Sequence, residues 1–128
     1  MSYYFSKTVN DDFDKAISKV TEELKKEGFG MLTEIDVKET LKKKLDADFR
    51  RYKILGACNP HFAHQALLAE DNIGTMLPCN VIVQERENDK VEVAAVDPVA
   101  SMMAIKNERL REVANEVREK LKRVIHHI

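Results

Sequence analysis

From Asn107 to the end of the chain, the apolar residues Leu110, Val113, Val117, Leu121, Val124 and Ile128 stand three or four positions apart, with charged residues between them. That spacing returns each side chain to one face of an α-helix, so the chain ends in a long helix with one face that must be covered. A second copy of the same helix could cover it, since the spacing is close to a heptad. A β-sheet of the same chain is the expected cover, because amphipathic helices of this kind ordinarily lie on a sheet. On the wet side, Glu116–Lys120 and Glu119–Arg123 are placed for ion pairing four residues apart.

The rest of the chain supplies the strands. Tyr3 to Val9 is aromatic and β-branched, and Asn10, Asp11 and Asp12 follow as helix N-cap types. Phe13, Ile17, Val20 and Leu24, with Ala16, form an apolar stripe for a second long helix, closed by Gly28. Gly30 to Lys38 alternates, with Met31, Thr33, Ile35 and Val37 assigned to one face. Glu39 to Asp46 carries Leu41 and Leu45 among lysines, enough for one or two surface turns of helix.

Phe49 to Ala57 returns to strand, with Tyr52 and Ile54 opposite Arg51 and Lys53. Asn59 and Pro60 then open a short helix running to Asp71. Met76 to Arg86 and Val91 to Val96 read as two strands joined by a hairpin turn over Glu87, Asn88, Asp89 and Lys90. Asp97-Pro98 repeats the cap-then-proline signal for a helical turn through Met102. The order β-α-β-β-α-β-β-α predicts an α+β fold, one antiparallel sheet with two long helices packed on one face.

Only four glycines and three prolines interrupt the 128 residues, and no linker separates them, so residues 1–128 are expected to form a single domain. Folding at this length should remove roughly two thirds of the extended chain's surface from water, and 44% hydrophobic residues suffice for a core. Lys and Arg total 21 against 22 Asp and Glu, a formal charge of −1 that gives no electrostatic footprint for nucleic acid or an anionic membrane. No apolar run reaches bilayer length and the first residues lack a signal-peptide pattern, so a cytoplasmic location is expected.

Two Cys-Asn dipeptides, Cys58-Asn59-Pro60 and Pro78-Cys79-Asn80, flank the short internal helix where helix and strand meet. A strand running into Cys58 and a strand running out of Cys79 could pair and bring both sulfurs to one end of the sheet. Cys58 also precedes a helix N-terminus, a position able to lower a thiol's pKa. The plainer alternative is that each cysteine packs as a small hydrophobe. Cys58, His61, His64 and Cys79 could be drawn as a zinc set, but only one sulfur lies within the local cluster and solvated or capping histidines are favoured over a metal. Asp97, at a strand end, is a candidate carboxylate, with helix capping the simpler role. Met102 and Met103 with Met76 and Met31 could line an adaptable pocket or simply fill the core. The phosphate-loop, nucleophile-elbow and H-E-x-x-H patterns are all missing, which argues against most kinases and hydrolases.

The residues Gly56-Ala57-Cys58-Asn59-Pro60, Ala63, Ala66-Leu67, Gly74, Leu77-Pro78-Cys79-Asn80-Val81-Ile82-Val83 and Val96-Asp97-Pro98 resemble the bacterial and archaeal family named domain of unknown function 302. The resemblance spans nearly the whole chain. It implies a compact α+β domain of TATA-binding-protein-like topology that tends to form homodimers, with no DNA function attached and no established reaction.

The leading functional expectation is a homodimeric small-molecule-binding or sensing domain, with a pocket near Cys58, Cys79 and Asp97 that Asn59, His61 and Asn80 help to line. One alternative is a thiol-dependent redox or sulfur-transfer enzyme using Cys58 and Cys79. Another is a structural or interaction module without a ligand. Cofactor identity is left open by the sequence.

Overall fold

A computed structural model of the chain describes residues 2–128. Strand β1 (Tyr4–Val9) leads into helix α1 (Phe13–Lys26), which the Asp12 carboxylate caps by accepting the Lys15 amide N–H at 2.8 Å. Gly28, at φ +89°, closes α1: its amide donates to Lys25 O and the Phe29 amide to Leu24 O, the paired bonds of a left-handed C-terminal cap. Strand β2 (Gly30–Asp36), helix α2 (Val37–Leu45), strand β3 (Tyr52–Cys58) and helix α3 (Pro60–Ala69) follow. A 3-10 segment (Asp71–Met76) joins α3 to strand β4 (Cys79–Glu85), and a short turn joins β4 to strand β5 (Val91–Val96). In that turn Asn88 and Asp89 take positive φ, which their short polar side chains tolerate. Helix α4 (Pro98–Ser101) and the long α5 (Glu108–His127) complete the chain.

The strands form one sheet in the order β1-β5-β4-β3-β2, every neighbouring pair antiparallel. Helices α1 and α5 lie on one face, where Phe13, Val20 and Leu24 meet Leu55, Val81, Val93, Leu121 and Val124 in a single buried cluster. The stripe of α5 is therefore consumed inside the chain, with Val117, Leu121 and Val124 all buried, and the heptad alternative loses its surface. The α+β architecture stands as expected, with more elements than the expected order counted: α2 lies between β2 and β3, and α4 precedes α5. None of α2 is buried, as its run of lysines anticipates.

Two local expectations are corrected. Strand β2 has a bulge between Met31 and Thr33, so Met31 pairs with Ala57 and packs on the core while Thr33 pairs with Gly56 and faces the other side. Thr33 and Ile35 therefore do not share a face with Met31, because one extra residue inverts the alternation beyond it. The i,i+4 pairs of α5 also give way: Arg123 grips Glu27 at 3.0 Å and Lys120 approaches it at 3.8 Å, while Glu119 pairs with Arg118 and Lys122. Among the described residues no helix is long and apolar enough to cross a membrane.

Candidate functional site

The antiparallel β3–β4 ladder sets Ala57 opposite Cys79, with Cys58 as the next residue of β3. Both cysteines therefore stand at one rim of the sheet, where β3 turns into α3 and β4 begins. Above the rim a second, smaller hydrophobic cluster of Ala66, Ile73 and Leu110 packs beside the main one, and Val113 touches both. The seam between the two clusters holds a cavity with Cys58, Asn59 and Cys79 among its walls. Small residues are among its walls, Ala63 and Ala66 of α3 and Ala114 of α5, together with Phe29, Phe62 and Met102.

About 40 Å³ of this cavity is open to the centre of a water-sized sphere. That exceeds the ~10–15 Å³ needed for one water and lies far below the several hundred of an ordinary metabolite pocket. Apart from Asn59 and the sulfurs of Cys58, Cys79 and Met102, the lining is hydrocarbon. Asn59 stands at the N-cap position of α3, but its side chain caps nothing there; Nδ2 donates to Glu27 O at 3.2 Å. It ties the start of α3 to the end of α1, beside Gly28, where an added Cβ would come within 3.0 Å of Nδ2. The Glu27 carboxylate completes this junction, and the Arg123 guanidinium bound to it holds its pKa below the usual range.

The remaining sequence candidates divide. Asn80 pairs with Gly56 and faces the opposite side of the sheet from Cys79, as strand alternation requires, in a groove that Tyr4, Tyr52 and Gln84 also line. His61 and His64 are both exposed on α3; His61 lies 3.3 Å from the Gln65 amide nitrogen and edge-on to Phe62. Neither histidine lines the cavity, and among the described residues no three His, Cys, Asp or Glu side chains gather as a metal set.

Asp97 follows the end of β5 at the same rim, yet its carboxylate is already engaged. Oδ1 accepts from the Val99 and Ala100 amides at 3.0 and 3.4 Å, and Oδ2 accepts from Arg118 Nε at 3.1 Å. Its neighbour Pro98, not Asp97 itself, reaches the cavity wall. Of the four methionines raised as pocket candidates only Met102 lines this cavity; Met76 and Met103 are exposed and Met31 packs on the core. What sequence reasoning missed is the void itself. Its local trace is the small size of Ala63, Ala66 and Ala114, which all line it.

Burial works against the expected activation of Cys58 by the helix N-terminus. Desolvation pushes the Cys58 thiol up, and it drives Cys79 up to about 11, with the nearby Cys58 adding to the effect. An apolar wall disfavours the anion, so both thiols are expected to ionise less readily than free cysteine. With iodoacetamide at pH 7, both should be alkylated more slowly than free cysteine. Cys79 should be slower than Cys58, its rate climbing as pH rises towards 11. Mass-resolved alkylation checks this, and a Cys79 rate equal to free cysteine's contradicts the burial argument.

The sequence profile described as domain of unknown function DUF302 matches residues 5–128. A crystal structure of an uncharacterised conserved DUF302 protein from Bacillus stearothermophilus superimposes with a TM-score of 0.90 at 28% identity, covering 98% of each chain. No curated protein matches. With the match running from β1 through the last residue of α5, and so across both cysteines and the cavity between them, the chain belongs to the DUF302 family.

Proposed function

We propose that this protein is a binding or sensing domain for a small ligand, held in the cavity between the β3–β4 rim and helices α3 and α5. The observation that carries this reading is the gap itself. Its lining is almost wholly hydrocarbon, with two cysteines among the walls, where the sheet rim meets two helices, the kind of apolar concave place that takes small ligands. The raised thiol pKa values weigh against the alternative of a thiol-dependent enzyme, since its nucleophile would have to ionise against its surroundings.

A second copy of the chain belongs to the same proposal. The sheet face away from α1 and α5 carries Ile35, Ile54 and Ile82 in one cross-strand row that ends on the buried Ala94, with Tyr3 and Tyr4 exposed beside it. A row of this kind is a suitable surface for a homodimer.

Native mass spectrometry of protein purified from its own host tests both parts. The expected result is a mass above that of the bare chains, in even copy number, with the extra mass lost in Ala114→Leu, whose added carbons fill the gap. Bare chains throughout would remove the ligand, and a single-copy mass would remove the dimer.

A further inference from the structure

We propose that the ligand is an alkyl carboxylate, its tail lying along the cavity past Met102 and its carboxylate held by Arg111. This rests on the cavity reading above and names the chemical class of the occupant.

The cavity has a neighbour. A second space of about 180 Å³ lies between the turn that follows α4 and the first turns of α5. Met102, Leu110 and Ala114 border both spaces, so the two share a wall. The first space alone, with about 40 Å³ open, is too small for an ordinary metabolite. Two apolar spaces set side by side suit a slender molecule that reaches from one into the other. Leu110 and Ala114 are buried on α5, whereas Met102 is half-buried on the turn. Methionine is unbranched with three rotatable bonds, which makes Met102 the part of the shared wall most able to move aside.

Polarity sets the two ends of the ligand. Around the first space Asn59 alone offers nitrogen or oxygen on a side chain, and its amide nitrogen is committed to Glu27 O. A tail without polar groups belongs there. Around the second space the apolar Met103 and Ile105 stand beside Arg111, which alone carries a charge. The Arg111 side chain is 53% exposed, and its ion-pair partner Glu108 stands 3.6 Å away, beyond hydrogen-bond reach. So loose and exposed a pair holds little, which leaves the guanidinium available to another anion. A carboxylate matches it, since the planar fork of arginine gives a carboxylate two parallel N–H bonds. No acidic side chain borders either space to compete for that place.

The test titrates the full chain, carrying methyl-13C methionine, with butanoate, hexanoate and octanoate at neutral pH. Calorimetry should show affinity rising roughly 10-fold for every two carbons added, as tail enters the apolar space. In NMR spectra the Met102 and Met103 methyl signals should move, while that of Met76, which borders neither space, holds. Octanol, with the same tail and no charge, should bind roughly 10-fold more weakly than octanoate. Arg111→Gln should abolish that preference, and Ala114→Leu should abolish uptake of both molecules.

An affinity indifferent to chain length, Met102 and Met103 signals that stay in place, or a preference for octanoate that survives Arg111→Gln would each overturn the assignment. The chain-length series needs no substitution, so it decides the matter even where a variant fails to fold. Carboxylates left unbound while another organic mass is retained from the host would overturn the ligand class and keep the cavity reading. Unbound carboxylates together with bare chains from the host would remove both.

Discussion

Replacing Gly56 with alanine is expected to destabilise the protein by about 3 kcal/mol, at the upper end of what overpacking usually costs. A Cβ built at Gly56 would stand 2.1 Å from Thr33 Oγ1 and 2.8 Å from Pro78 Cγ. The first contact can be relieved by turning the threonine hydroxyl away. The second can be eased only by a change of ring pucker, because the Pro78 ring is otherwise fixed to the backbone at the entrance to β4. The strands would have to separate at the end where Cys58 and Cys79 stand. Thr33→Ala in the Gly56→Ala background should therefore recover part of the loss, with the Pro78 share remaining. Urea unfolding of the two single variants and the double variant measures this cycle. A Gly56→Ala cost below about 1 kcal/mol would mean that β2, β3 and Pro78 are not packed as described.

That contact also shows where sequence reading stops. Each long helix was legible because its evidence is local: Phe13, Val20 and Leu24, or Leu110, Val117 and Leu121, need only the 3.6-residue period to be placed on one face. The β4–β5 hairpin was legible for the same reason, with turn residues between two alternating runs. Both cysteines were placed at one rim correctly, since a strand entering Cys58 and a strand leaving Cys79 can pair in few ways. The bulge in β2 was not legible, because Leu32 is an unexceptional strand residue and the extra step shows only in what β3 places opposite it. Gly56 carries no local mark either, as its constraint comes from Thr33 on β2 and from Pro78 just before β4.

The site followed the same division. Which residues reach the rim could be read from strand ends, whereas what each side chain does there depended on partners distant in sequence. Asn59 has the residue type and position of a cap, yet a carbonyl 32 residues earlier claims its amide. Cys58 has the position of an activated thiol, yet burial pushes its pKa in the opposite direction. Three alanines from two helices are among the cavity walls, and no pattern within either helix marks them as bordering one space.

Asp97 gives the sharpest case of a residue whose place at the rim invites a functional role that its bonds do not support. Asp97→Ala is expected to cost about 2–3 kcal/mol. It removes the cap of α4, worth about 1 kcal/mol, and leaves the Arg118 guanidinium without its acceptor. The remainder stays below the ~3–5 kcal/mol of a fully buried pair, because the Arg118 side chain is 33% exposed and water can replace part of what is lost. Asp97→Asn keeps a capping oxygen and loses only the charge, so about half of the destabilisation should return. Arg118→Met supplies the fourth corner of a cycle with Asp97→Asn, in which thermal or urea unfolding should show the two costs overlapping instead of adding. The binding measurements decide the role. In Asp97→Asn, any mass retained from the host should match the parent, since Pro98 and not Asp97 lines the cavity. A variant with full stability and lost binding would reverse that assignment and return the carboxylate to the site.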